Sequence, residues 1–356
     1  MPDPILYLKA SIAVVVASTL IVLAFRLIIR TSARSLLAGI GVLGLGVGLV
    51  VGYLVLQFAW TWPPANGLDR LLLIVLPAAS IVELLAAIFA DRERPSAAHA
   101  SPKTVSPKTV SLQTAMRETP EATMKRTSLG QQLVIVSRLI LWAATGRILL
   151  HDSVYLGGSA SNNPEAWTFM QMLFTLGGGS LGLIIVGTLL NRLAARDTAC
   201  SVAFSLALTI LSTGMAIMLA GYIKGGVAAI PLSASLAGTT AAAFVLSRYC
   251  NDPTVSYLRG ATSIGLVGLF GFVCIGHFFG QLTGPRAFAL FLTPLLCWIS
   301  ELPGLRSMSS WQKSAIRLIA VSVSLGTVLY FARCDFEAKM APLLAKATPG
   351  LAPIEC

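Results

Sequence analysis

Ten runs of roughly twenty apolar residues, joined by short polar connections, decide what this chain can fold into. They extend over Ala10 to Ile29, Ser35 to Ala59, Leu71 to Ala90, Leu133 to Leu150, Trp167 to Leu190, Ser201 to Ile223, Val227 to Leu246, Ala261 to Phe279, Ala287 to Ser300 and Ser314 to Ala332. A bilayer offers no water to backbone N–H and C=O groups, so a spanning segment must satisfy them internally, as a helix or in a closed barrel. Barrel strands would need alternating segments of about ten residues. The continuous runs here predict an all-α, polytopic integral membrane bundle of about ten transmembrane helices. Composition agrees: 55% of the 356 residues are hydrophobic and only 12% are charged, about half the charged share of soluble domains.

The predicted organisation is helices one to three over residues 1–90, a hydrophilic linker over 91–132, helices four to ten over 133–332, and a tail over 333–356. The linker, Asp91 to Gln132, contains the direct repeat Ser101-Pro-Lys-Thr-Val, Ser106-Pro-Lys-Thr-Val. Such a composition buries no core and reads as a disordered cytoplasmic tether, with phosphorylation of its Ser-Pro sites as a functional alternative. The first run lacks a basic leader and a small-residue cleavage site, and is expected to stay as a helix. The ninth run is short and contains Pro294, so a re-entrant path is its competing reading.

The net charge is +11. The basic residues sit in short loops between apolar runs, which favours anionic lipid headgroups on the cytoplasmic side over nucleic acid. Odd-numbered connections hold seventeen Lys and Arg against seven in the alternate set, tails included. The positive-inside rule then puts both termini outward, in a bacterial-type cytoplasmic (inner) membrane. Trp60, Trp62 and Trp167 near outer helix ends, with Trp298 and Trp311 near the inner side, fit interfacial belts.

A carboxylate inside a spanning run costs about 2.5–3.5 kcal/mol at mid-membrane unless it is paired or faces a cavity. Glu83 is such a group. It lies about 10 Å from the inner end of its helix, and Arg138 on the next helix lies about 8 Å from its own inner end. Matched depth predicts a Glu83–Arg138 pair, and Glu301 with Arg317 stands in the same relation in the second half. The third and ninth runs also share a Gly-containing start, an internal proline (Pro77, Pro294) and a following Glu-Leu, a weak parallel repeat of helices one to four and seven to ten. Proline-interrupted helices at matching places point to a transporter or permease site near Pro77, Glu83 and Pro294, with Arg138, Glu301 and His277 as further substrate- or ion-binding candidates. A non-catalytic assembly or scaffold subunit uses the same charges as interhelical glue. A third reading, a membrane-embedded enzyme, would use His151 and Asp152 as acid and base, with Arg147 holding an anionic group. Of these, the non-enzymatic readings lead.

Other motifs fail on context. Gly178-Gly-Ser180-Leu-Gly182 matches a nucleophile elbow but falls in a spanning run. No nucleotide loop, dinucleotide fingerprint or metal-ligand spacing occurs, so neither cofactor nor metal is expected. Four-residue glycine spacings, Gly44-Gly48-Gly52, Gly221-Gly225 and Gly276-Gly280, predict close helix packing and offer faces for a homo-oligomer. Cys334 and Cys356 bracket the tail, where an outward location would favour a disulfide.

Overall fold

In a computed structural model, the described residues are 4–29, 34–58, 62–92, 129–156, 167–195, 199–250, 254–302, 304–305 and 308–347. Residues 93–128 of the predicted linker and Cys356 lie outside them, as does Trp60, while the linker's two ends, 91–92 and 129–132, belong to flanking helices. Among the described residues the chain is helical: α1 (Pro4–Ile28), α2 (Arg34–Val55), α3 (Gly67–Arg70), α4 (Leu76–Arg92), α5 (Leu129–Leu150), α6 (Phe169–Leu193), α7 (Ala199–Leu219), α8 (Ile223–Tyr249), α9 (Thr254–Phe278), α10 (Gly284–Leu292) and α11 (Ser310–Ala347). A π-helical turn, Leu71–Val75, joins α3 to α4, and a 3-10 helix, Thr293–Glu301, continues α10. Nine of the resulting helical segments are long and apolar enough to cross a membrane.

The ninth run is the segment that falls short of a continuous spanning helix. Pro294 stands in the first turn of the 3-10 helix, where its missing N–H and fixed φ end the α-helical ladder. The stretched 3-10 rise recovers the length. Arg286, at its start, pairs with Asp335 of α11 at 2.6 Å, and Glu301, at its end, pairs with Arg317 of α11 at 3.0 Å. Eighteen residues of α11 separate those partners, about 27 Å at 1.5 Å per residue. The broken segment therefore runs antiparallel to α11 over nearly a bilayer's hydrocarbon thickness.

Pro77 is treated differently. The π turn before it carries the Leu76 N–H to the Leu71 carbonyl, five residues back. One extra residue in the turn makes room for a ring that cannot donate a hydrogen bond. The two prolines thus interrupt their helices by different devices, one widening the turn and the other tightening it.

The tail expected from residue 333 is instead a continuation of α11 to Ala347. The reason lies in its polar residues, which find helical or neighbouring partners: Arg333 with Glu337 one turn on at 2.6 Å, Asp335 with Arg286, and Lys339 with Gln281 at 2.8 Å. At 38 residues the helix is about 57 Å long, well beyond the hydrocarbon core.

Helix α9 forms the centre of the bundle: 89% of its spanning window is buried, against 17% for α1 at the edge. Around α9 pack α2, α4, α7 and α8, and α1 covers the seam between α2 and α8. The glycines of α2 make that seam. A Cβ on Gly44 would lie 2.4 Å from Val22 Cγ2, one on Gly48 2.7 Å from Ser235 Cβ, and one on Gly52 2.6 Å from Val14 Cγ2. Gly276 is likewise closed by Ile217, Gly225 by Tyr222, and Gly221 forms a turn at φ +94°. The α2 glycines and Gly276 thus pack against other helices of the same chain.

The tightest approach is one the spacing did not single out. A Cβ on Gly41 would sit 1.9 Å from the Tyr257 carbonyl oxygen, a backbone atom with no rotamer to yield. Gly41→Ala is expected to push α2 off α9 and to cost about 1–3 kcal/mol or more. Thermal unfolding in detergent checks it, with Gly46→Ala, at an open position, as the neutral control.

Candidate functional site

The connection from α4 to α5 defines a linker end of the bundle, and three polar clusters are placed relative to it. The first, at the linker end, joins the predicted pair. Arg138 Nε donates to Glu83 Oε1 at 2.7 Å and Arg138 Nη2 donates to Glu83 Oε2, a bidentate fork. The Glu83 side chain is 3% exposed and that of Arg138 17%. Helix α9 closes the other side, for a Cβ on Gly260 would stand 3.7 Å from Glu83 Oε2. Arg259, the neighbour of that glycine, adds a second guanidinium within electrostatic reach of both members of the pair. The small residue at 260 is what allows α9 to approach a carboxylate so closely.

The second cluster is built on Arg317, fully buried on α11. Its Nε donates to the Cys297 carbonyl at 3.1 Å and to Ser300 Oγ at 2.6 Å, its Nη1 to Ser201 Oγ at 3.2 Å and its Nη2 to Glu301 Oε1 at 3.0 Å. The 3-10 helix supplies three of these acceptors because its tight turn aims the Cys297 carbonyl and the Ser300 hydroxyl at one point. Ser201, at the start of α7, supplies the fourth. Arg317 thereby ties α7, α11 and the 3-10 helix together at the linker end.

The two prolines and two carboxylates proposed as one transport site are not brought together. Pro77 and Glu83 lie on α4, which packs against α2, α5 and α9; Pro294 and Glu301 lie on the 3-10 helix, which packs against α6, α7, α10 and α11. Helix α9 separates the two groups. His277 is exposed at the far end of α9, where its Nδ1 faces the Leu282 carbonyl at 2.9 Å. A cavity of about 40 Å³ lies nearby, lined by Gln281, Thr283, Arg286, Asp335 and Lys339 among others, at the end opposite Glu83.

The third cluster holds the predicted acid–base pair at that same opposite end. His151 Nδ1 lies 2.7 Å from Asp152 Oδ2, and both side chains are more than half exposed. The cation that joins them is Arg70, a residue the sequence reading did not single out. Arg70 Nη2 donates to Asp152 Oδ2 at 2.7 Å and its Nη1 to the His151 carbonyl, an end-of-helix carbonyl of α5. Arg147 is exposed and lies 3.6 Å from the Met172 sulfur. It leaves α5 one turn too early to meet Asp152, whose positive φ of 57° turns the chain away from the helix. Asn66 caps α3 through the Asp69 N–H at 2.9 Å, which sets Arg70 at the right height. The arrangement closes a helix C-terminus and pins α3 to α5.

Hydrogen bonding from His151, with the charges of His151 and Arg70, holds the Asp152 carboxyl below the usual carboxylate range. A carboxylate depressed in the folded state stabilises above its unfolded value of about 3.9 and loses that contribution as pH falls through the folded value. Amide protection at residues 148–153, taken relative to the intrinsic exchange rate at each pH, should therefore fall below about pH 4, and Asp152→Asn should show the lowered protection at neutral pH.

Among the described residues no group of three or more His, Cys, Asp and Glu is placed to hold a metal. Cys334 lies on α11, and its predicted partner Cys356 falls outside the described residues. Comparison with known protein families, curated proteins and solved structures finds no match. What the comparisons leave is a multipass helical membrane protein whose polar groups must speak for themselves.

Proposed function

We propose that the chain is a non-catalytic assembly or scaffold subunit of a bacterial-type cytoplasmic membrane, with both termini outward and the linker on the cytoplasmic side. The observation that carries this reading is the Glu83–Arg138 fork. A carrier that binds an ion or proton at Glu83 needs that carboxylate to meet water or substrate during its cycle. Here both oxygens are taken by one guanidinium and the side chain is 3% exposed. Arg317 is engaged in the same way by four acceptors. Charges used so completely within the chain serve as locks between helices, and a bundle locked in this way offers its partners a rigid apolar perimeter.

The seventeen-to-seven distribution of Lys and Arg supports the orientation. The transporter reading rests on prolines that α9 holds apart. The enzyme reading rests on His151 and Asp152, whose contacts with Arg70 close a helix end.

The test is complementation of a strain deleted for this protein. A variant carrying Glu83→Met and Arg138→Met keeps the volume and removes both charges. An assembly subunit retains its biological output when the pair is replaced; loss of output by a variant of normal folded yield would favour transport at Glu83.

A further inference from the structure

Among the described residues, the Glu83 cluster at the linker end sets two guanidiniums against one carboxylate. Glu83 gives both oxygens to Arg138, which uses Nε and Nη2 and keeps its Nη1 donors outside any hydrogen bond among the described residues. Arg259 adjoins Gly260, where a Cβ would stand 3.7 Å from Glu83 Oε2. Its guanidinium makes no hydrogen bond to the described residues. It is exposed while its helix neighbours Leu258 and Gly260 are buried, on the helix whose spanning window is 89% buried. Two guanidiniums thus share one carboxylate at the edge of a low-dielectric region, where an uncompensated cation is costly.

The depth identifies the missing partner. Arg259 lies five residues into α9, about 7.5 Å along the axis, a level that an arginine side chain spans to the headgroup layer by snorkelling. A guanidinium presents a planar fork that matches phosphate oxygens, and it keeps its charge in a membrane environment. A lysine at the same place would offer one point of charge. We propose that Arg259, with Arg138 on the adjoining α5, forms a binding site for the phosphate group of an anionic lipid at the linker end of the bundle. The lipid phosphate supplies the negative charge that Glu83 cannot, and so completes the cluster around the α4–α5–α9 contact. This site is independent of whether the protein assembles or transports.

The experiment places wild-type protein in nanodiscs of phosphatidylcholine, with and without phosphatidylglycerol, and follows thermal unfolding and lipid retained in native mass spectrometry. Phosphatidylglycerol should raise the unfolding midpoint of wild type and survive as bound lipid. Arg259→Gln should unfold as wild type does in phosphatidylcholine and bind phosphatidylglycerol about fivefold more weakly, the loss of one interfacial cation. Arg248→Gln, which removes a cation stacked 5.4 Å from the Phe244 ring centroid on α8, should keep the full response. Arg259→Lys, the fallback should the glutamine variant fold poorly, should retain only part of it. Inorganic phosphate added to phosphatidylcholine discs at matched ionic strength should leave the midpoint unchanged; a rise there would assign the site to free phosphate and overturn the lipid. An equal phosphatidylglycerol response in wild type and Arg259→Gln would overturn the site altogether.

Discussion

Arg317→Ala is expected to give the largest loss of any single substitution in this protein, about 3–5 kcal/mol or more of folded stability. The side chain is fully buried and leaves four acceptors behind: the Cys297 carbonyl, the Ser300 and Ser201 hydroxyls, and a Glu301 carboxylate that is 16% exposed. Two penalties add, a cavity where one of the largest buried side chains stood and a carboxylate without its cation. Arg317→Lys keeps the charge but offers one ammonium where a fork met four acceptors on two elements, so it should recover only part of the loss. Glu301→Gln should be milder, because it retains a hydrogen-bond acceptor and its site reaches the surface. Unfolding in detergent, followed by tryptophan fluorescence, orders the three variants; equal stability of Arg317→Ala and wild type would remove the clamp from the account.

Glu83→Gln is expected to follow closely, at about 3–5 kcal/mol, since it strands a guanidinium in a partly buried site. The loss should be felt across three helices, because Glu83 on α4 touches both Arg138 on α5 and the backbone face of α9 at Gly260. Arg138→Met should cost a similar amount by stranding the carboxylate. Replacing both with Met should return most of the lost stability, for an apolar pair of similar volume meets no desolvation penalty.

The first clamp is legible in the sequence because depth along a helix is arithmetic, about 1.5 Å per residue from a recognisable polar end placing Glu83 beside Arg138, and the second, Glu301 with Arg317, follows as its counterpart in the weak repeat. The same arithmetic marked nearly all the spans, since an apolar run of bilayer length has few other uses. What sequence could not supply was which helices are neighbours. Nothing in the chain order marks Arg70 as the partner of Asp152, since it arrives from another helix, 82 positions away. Pro77 and Pro294 looked equivalent as letters, yet α9 lies between them. The glycines of α2 announced close packing but not its object, and Gly41, which has the closest approach of all, carried no four-residue spacing to mark it. The helical course of residues 333–347 was hidden because its polar side chains are paid for by Arg286 and Gln281, far from them in sequence.

The central claim is that the charges inside this bundle are locks and not a transport site, and a double-mutant cycle on Glu83 and Arg138 tests it most directly. Wild type, Glu83→Gln, Glu83→Met, Arg138→Met and the double Met variant are unfolded under identical conditions in the same lipid-containing discs. The account predicts that each single variant is strongly destabilised and that the double variant is more stable than either. Additive losses in the double variant, or a Glu83→Gln protein as stable as wild type, would contradict it.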